Sequence, residues 1–288
     1  MNNDFLGLEA KYTDYRGATY AVLPVPYDAT VSYQVGTRFG PQAIITASQQ
    51  VELFDDELES EPFRAGVCTL DPVEVSTDGP AAMHELITKA ARKPVRDGKF
   101  LFGLGGEHSV TSGLVRAVAS RYKKFSILQI DAHLDLRDQY EGSPYSHASV
   151  MRRCLEYVDT VVPVGIRNVC KEESTFLKKS GIEPIYARDC RGGGEWIERA
   201  LDGLGDTVYV TIDIDGFDPA YAPGTGTPEP GGLDWYQVTA LLRRVAQTRK
   251  IVAADIVEVL PIPGQAVTEF LAARLAYRLM AYVHAASK

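Results

Sequence analysis

The sequence predicts a three-layer α/β fold around a buried, mainly parallel sheet, and three features predict it. Short β-branched apolar runs recur along the whole chain, helical patterns separate them, and the runs close on polar or acidic residues and a turn. The runs occupy 18–24 (ATYAVLP), 99–104 (KFLFGL), 125–130 (FSILQI), 160–165 (TVVPVG), 184–187 (PIYA), 207–212 (TVYVTI) and 251–259 (IVAADIVEV). Their near-continuous apolar character marks strands covered on both faces rather than the one-sided alternation of a solvated sheet.

Helical patterns fill 80–92, 110–122, 146–156, 194–201, 234–248 and 267–286, and Pro80 suits a first helical turn. Between the last two runs lies a Gly- and Pro-rich stretch, 219–232, which predicts an irregular loop. A long irregular loop inside a compact domain usually serves function. With no internal repeat, low-complexity tract or linker, the 288 residues read as one domain, 1–288.

Composition excludes several classes. Hydrophobic residues make up 45% and charged residues 24%, ordinary for a globular protein. The net charge of −8 argues against a nucleic-acid partner, which calls for a basic surface, and favours approach by a cationic small molecule. Cys68, Cys154, Cys170 and Cys190 form no CxxC pair, so reduced thiols in a cytoplasmic protein are expected. Residues 1–10 carry Asp4 and Glu9 and no apolar segment of a signal peptide, and no run of roughly 18 apolar residues exists, so no membrane span is expected.

The chemistry gathers where the runs end. In open parallel sheets, ligands collect outside the carboxyl ends of the strands. Gly105-Gly106-Glu107-His108-Ser109 follows one run, and Asp131-Ala132-His133-Leu134-Asp135 follows another. Asp213-Ile214-Asp215 follows a third, and Glu258 closes the last. If the strand persists through 131–135, alternation puts Asp131, His133 and Asp135 on one face, and Asp213 and Asp215 share the same spacing. Unpaired buried charge is costly, so a cation is the natural partner of His108, Asp131, His133, Asp135, Asp213 and Asp215. Four carboxylates and two imidazoles suit two ions, and an oxygen-rich set suits Mn²⁺. Two ions about 3.5–4 Å apart can share and activate a water.

Other candidates read differently. Asp138 and Asp218 fit turn or cap chemistry, and His84 and His284 lie in helical patterns without acidic company, as packed or surface histidines do. His147, in Tyr145-Ser146-His147-Ala148-Ser149, follows the DxHxD run by a short loop that would overhang the site. A histidine there can shuttle protons near neutral pH.

These motifs resemble the arginase/agmatinase signatures of the ureohydrolase superfamily. The likeness rests on GGEHS (105–109), DAHLD (131–135), DIDGFDPAYAPGTGTPEPGG (213–232), EVLP (258–261) and the loop GTRFGP (36–41), and it runs from Gly36 to Pro261. The resemblance implies an arginase-like α/β/α fold with a mainly parallel eight-stranded sheet, two Mn²⁺ ions and a trimer or hexamer of identical chains. It implies that His108 and Asp135 bind the first metal, His133 and Asp215 the second, and that Asp131 and Asp213 bridge both. It further implies that Glu258 pairs with a substrate guanidinium beside Thr227, that His147 relays protons, and that Asp135 carries a proton to the leaving amine. The products would be urea and an amine.

The loop after DxHxD lacks the small polar pattern of arginases, and DLRD…YSHASVMRR (135–153) looks like the agmatinase branch. Agmatine, hydrolysed to putrescine for polyamine biosynthesis, is the expected substrate, with Asp138 and Glu141 as candidates for its ammonium tail. Arg137 would suit a carboxylate tail instead, so guanidinobutyrase, arginase and formimidoylglutamase activities stand as alternatives. A non-catalytic relative acting as an assembly or regulatory module is the rival outside enzymes, although such modules usually lose a ligand. The one-zinc deacetylase-like branch needs fewer carboxylates than this chain has.

Overall fold

The computed structural model describes residues 4–287. In chain order the first half forms α1 (Ala10–Thr13), β1 (Tyr20–Val25), α2 (Gly40–Ser48), β2 (Val67–Thr69), α3 (Pro80–Arg96), β3 (Phe100–Gly105), α4 (Thr111–Ala119) and β4 (Ser126–Ile130). The second half forms α5 (Val150–Cys154), β5 (Thr160–Ile166), α6 (Lys171–Ser180), β6 (Ile185–Tyr186), α7 (Glu195–Gly203), β7 (Thr207–Asp213), α8 (Trp235–Thr248), β8 (Lys250–Val257) and α9 (Val267–Ala286). The eight strands make one sheet in the order β2-β1-β3-β8-β7-β4-β5-β6, and all their pairings are parallel. The expected three-layer fold is present, and the sheet of the named strands is wholly rather than mainly parallel.

The pleat sorts each strand between two cores. Phe100, Phe102 and Leu104 of β3, with Val208, Val210 and Ile212 of β7, face a core shared with α2, α7, α8 and α9. Leu101 and Tyr209 point the other way, into a core shared with α3, α4 and α5. Both faces are therefore sealed, which explains why the strands read as continuous apolar runs. Each fully buried Leu, Ile, Val or Phe contributes roughly 1.5–3 kcal/mol of transfer free energy.

All seven predicted runs are strands, with ends shifted by a few residues. The sequence missed β2, a three-residue edge strand, together with α1, α2 and α6. The Gly-Pro start of α2 reads as a turn, and of α6 only Glu173 is buried, so it shows almost no apolar stripe. The helix predicted to end at 92 runs on to Arg96 through Pro94. The pattern at 146–156 holds only five α-helical residues, because His147–Ser149 is a 3-10 turn.

Helix α3 packs closely on α4. Gly113 sits at the crossing, where a Cβ would stand 2.8 Å from the Ile87 Cβ. Beside it His84, expected as a packed or surface histidine, is buried, with Nδ1 2.9 Å from Ser112 Oγ and its ring against Tyr145. Burial, helped by the charge of Arg116, pushes this imidazole down to about 4. The unfolded chain takes up the proton near pH 6.5, whereas the folded protein holds it off until about pH 4. Stability should therefore fall as pH drops through this window. Between pH 7 and 4.5 the loss should be about 2–3 kcal/mol greater for the wild type than for His84→Gln, as read from urea unfolding at both pH values. Equal losses would mean that His84 does not carry this acid sensitivity.

Candidate metal centre

The four motif-bearing segments follow β3, β4, β7 and β8, and these strands are consecutive in the sheet as β3-β8-β7-β4. Parallel direction brings their carboxyl ends to one edge, so residues 103 to 150 positions apart in sequence meet there. His108 and Ser109 start the 3-10 turn after β3, Asp213 ends β7, Asp215 lies in the 3-10 turn that follows, and Glu258 comes directly after β8.

The DxHxD segment reaches the site differently from expectation. β4 ends at Ile130, so strand alternation does not align Asp131, His133 and Asp135. The chain turns instead, and Asp135 adopts φ +54°, a left-handed conformation that costs a non-glycine residue about 1–3 kcal/mol. The turn is held from both sides. Met151 donates its N–H to the Asp135 carbonyl at 3.0 Å, and Gln129 Nε2 donates to Asp131 Oδ2 at 2.8 Å and to the His133 carbonyl at 3.1 Å. Asp213 and Asp215 are joined by the Asp215 N–H, which donates to Asp213 Oδ1 at 2.9 Å, rather than by a strand pleat.

Two groups of side chains result. His108 Nδ1 lies 3.2, 3.1 and 3.3 Å from carboxylate oxygens of Asp131, Asp135 and Asp213. His133 Nδ1 lies 3.0 Å from Asp215 Oδ2 and 3.6 Å from Asp131 Oδ1. His108, Asp131 and Asp213 could hold one ion and Asp131, His133 and Asp215 another, so Asp131 serves both groups.

The hydrogen bonds behind His108 test whether a cation fits. Tyr209 OH and Thr211 Oγ1 each donate at 2.6 Å to Asp255, a fully buried carboxylate. Thr211 has thereby spent its only proton, so it accepts from His108 Nε2, 3.0 Å away. That leaves His108 Nδ1, a buried atom without a hydrogen-bond partner, aimed at three carboxylates. Burial opposes charging His133, but Asp215 and Asp131 outweigh it and push the imidazole up to about 12. Burial and the charge of Asp131 push the Asp135 carboxyl up to about 7. The cluster demands positive charge, and divalent ions bound by these oxygens and imidazole nitrogens meet that demand.

A cavity of about 200 Å³ opens onto these groups, and its wall includes Asp135, Asp213, Asp215, His133, Glu258 and Thr227 as well as His147, Tyr140, Arg137 and Asn168. Glu258 takes φ +63°, is buried, and accepts the His108 N–H at 2.7 Å through Oε1. Burial, with Glu107 nearby, holds its carboxyl well above the usual range. Thr227 Oγ1 lies 3.4 Å from Asp215 Oδ2. Burial pushes the His147 imidazole down to about 4, so at neutral pH it is an uncharged base.

All nine sequence-predicted site residues therefore meet in or around one cavity. Asp138 and Glu141 do not: Asp138 pairs with Arg153 at 3.1 Å, and both residues are exposed and absent from the cavity wall. Asp218 is turn chemistry as expected, accepting the N–H groups of Ala220, Gly231 and Gly232. The irregular loop 219–232 is fastened by Arg167, whose guanidinium donates to the Asp215 carbonyl at 2.6 Å and the Glu229 carbonyl at 2.7 Å. Sequence reasoning missed Arg167, Asp255, Thr211 and Glu107, which act on neighbours far away in sequence. Burial pushes Glu107, inside the GGEHS motif, up to about 7. A larger hollow of about 1600 Å³ lies elsewhere, against α8 and α9, and has no histidine in its wall.

A family model described as "Arginase family" matches residues 18–282. The chain is 42% identical to an N(1)-aminopropylagmatine ureohydrolase of Synechocystis sp., over 96% of this chain and 93% of that one. It is 34% identical to an agmatinase of Bacillus anthracis over 87% of each. The crystal structure of an agmatine ureohydrolase of Thermoplasma volcanium superposes with a TM-score of 0.88 at 32% identity, covering 98% of this chain and 94% of that one.

The sharing of Asp131 predicts unequal effects on metal binding. Asp131→Ala should weaken Mn²⁺ binding at both positions, whereas His133→Ala should weaken one. Each effect should exceed the roughly 10–100-fold that loss of a supporting contact costs. Equilibrium dialysis with elemental analysis reads both stoichiometries, and identical losses in the two variants would contradict a shared Asp131.

Proposed function

This chain is a ureohydrolase of the arginase family, and from that premise we propose that it hydrolyses a linear guanidine with a cationic amine tail, agmatine first, to urea and the amine. The observation that carries the reading is His108 Nδ1, buried, unpartnered and ringed by three aspartates. We assign His108 and Asp135 to one ion, His133 and Asp215 to a second, and Asp131 and Asp213 to both, with Mn²⁺ as the metal suited to this oxygen-rich set. Two bound divalent ions would acidify a water, providing a nucleophile at neutral pH.

The chain's own residues do the rest. Glu258 stands at the cavity wall where a guanidinium can pair with it, and that cation would stabilise the ionised carboxylate against the cost of burial. Thr227 beside it offers a hydroxyl to the same planar group. Together they orient the guanidinium carbon, which resonance makes a poor electrophile, for attack. Asp135, on the cavity wall, would take the proton released on attack and deliver it to the departing amine nitrogen. His147, uncharged at neutral pH, passes protons between the cavity and solvent.

Agmatine and N1-aminopropylagmatine differ only in the tail, and the named relatives make the longer amine the first competitor. One observation favours a different tail: Arg137 lines the cavity with its guanidinium 4.8 Å from the centre of the Tyr140 ring, where a carboxylate such as that of 4-guanidinobutyrate would find it. Hydrolysis of agmatine would yield putrescine and place the reaction in polyamine synthesis. Four unpaired cysteines support a cytoplasmic setting. We further propose that the chain acts as one domain and assembles as a trimer or hexamer, for which exposed Tyr221, Tyr236, Val267 and Phe270 offer apolar surface.

Urea release from Mn²⁺-loaded protein decides the matter, with agmatine, N1-aminopropylagmatine, arginine and 4-guanidinobutyrate at equal concentration. One of the amine-tailed compounds should give the highest kcat/KM, and Asp131→Ala should abolish turnover. A preference for 4-guanidinobutyrate would transfer the tail assignment to Arg137. Absence of urea from all four with metal bound would overturn the catalytic reading.

A further inference from the structure

Glu107 has no part in the chemistry above, yet it is fully buried beside the metal centre. A buried carboxylate needs donors, and this one has three, none of them a cation. The Thr30 backbone N–H donates to Oε2 at 2.5 Å and the Thr30 hydroxyl to Oε1 at 2.6 Å, while Ser109 Oγ also donates to Oε1. The backbone is pinned at the same place: the Glu107 N–H donates to the Tyr27 carbonyl at 2.8 Å, and a Cβ at Gly106 would collide with that carbonyl oxygen. Glu107 thus ties the segment after β3 to the loop after β1.

That tie reaches His147. The Thr30 hydroxyl has one proton and gives it to the Glu107 carboxylate, so opposite the ionised form Thr30 Oγ1 only accepts from every other neighbour. It accepts the His147 backbone N–H at 3.0 Å, and His147 Nδ1 stands 3.4 Å from it. An oxygen that only accepts favours the tautomer with its proton on Nδ1, which leaves Nε2 with a lone pair. Ser146 Oγ, 3.4 Å from the same nitrogen, and the Tyr140 ring, edge-on at 5.8 Å, complete the surroundings of the imidazole.

We propose that Glu107 and Thr30 are a positioning pair for His147: by taking the only hydroxyl proton of Thr30, Glu107 makes Thr30 an obligate acceptor, which fixes the backbone and the ring tautomer of His147. The proposal rests on the reading of His147 as proton relay. A carboxylate suits this task because all three groups facing it are donors. Glu107→Gln would turn an amide N–H toward one of them.

The decisive variants are Thr30→Val, which keeps the shape and removes the hydroxyl, and Thr30→Ser, which restores it. Nitrogen NMR of protein carrying ¹⁵N-histidine, in diamagnetic Mg²⁺, reads the tautomer directly, and the His147 signals are identified by their loss in His147→Asn. In wild type, Nδ1 should carry the proton. In Thr30→Val the ratio should move toward Nε2–H, with kcat for agmatine or N1-aminopropylagmatine down roughly ten- to a hundred-fold. KM and bound Mn²⁺ should stay unchanged, Thr30→Ser should recover both readouts, and thermal melting should show each variant folded. Unaltered His147 ring signals in folded Thr30→Val overturn the proposal, whatever the activity. Shifted signals with undiminished kcat uphold the positioning pair and remove His147 from the proton path.

Discussion

Four carboxylates and two imidazoles converge at the carboxyl ends of β3, β8, β7 and β4, and confining that much negative charge away from water is the constraint that the surrounding structure serves. Asp131, Asp213 and Asp215 are nearly inaccessible to solvent, and Asp135 is little more exposed. Such groups persist ionised only opposite positive charge. The immediate surroundings contribute donors: the Ala132 N–H gives to Asp215 Oδ1, the His133 N–H to Asp131 Oδ1, and Gln129 to Asp131 Oδ2. These bonds spread the charge without cancelling it. Cations at the two histidine–aspartate groups would cancel it and, in doing so, tie together four separate strand ends.

That constraint explains the strain and the long-range bonds around it. Asp135 and Glu258, two of the few non-glycine residues with positive φ, both belong to the site. Their backbones are held by hydrogen bonds that do not depend on a ligand. The Glu258 N–H donates to the Gly106 carbonyl at 2.7 Å, and α5 donates to the Asp135 carbonyl through Met151. Strain stored in this way aims two carboxylates into one cavity before any ligand arrives, which is what preorganisation requires. The chain from Tyr209 and Thr211 through Asp255 does the equivalent for an imidazole, since it leaves His108 no orientation other than Nδ1 toward the aspartates.

Much of this was legible in the sequence, for a physical reason. A parallel sheet buried on both faces writes its strands as apolar runs, and the residue after each run lies at the catalytic edge, so GGEH, DxHxD, DxD and Glu258 announce themselves locally. What the sequence concealed depends on distance or on irregular backbone. Asp131, His133 and Asp135 look like strand alternation, but the strand ends at Ile130, and a turn with one left-handed residue brings them together. Thr30 and Glu107 are 77 positions apart, and neither carries a pattern that points to the other. Asp138 looked like a tail-binding acid because it lies near the motif in sequence; in space the arginines of α5 claim it. Short or weakly amphipathic elements such as β2 and α6 bury too little to leave a period.

The site also divides by rigidity. Every group assigned to metal, and Glu258 for the guanidinium, stands on a strand end or in the turn after one, and those strands are the central four of eight, while Thr227 reaches the guanidinium from the loop 219–232. Other groups of the cavity wall, among them Ser32, Arg137, Tyr140, His147 and Asn168, come from connecting segments. A reaction that makes and breaks bonds at one carbon needs its attacking and orienting groups held to a fraction of an ångström, which a buried parallel sheet provides. Discrimination among tails is a matter of which side chain a loop presents, and loops change without disturbing a core. Glu107 stands at the junction of the two regions: it follows a central strand directly, yet its carboxylate is spent on Thr30, in the loop after β1. Through that contact the rigid centre reaches His147, so a residue on a connecting segment acquires the fixed geometry that proton transfer demands while its neighbours stay free to differ.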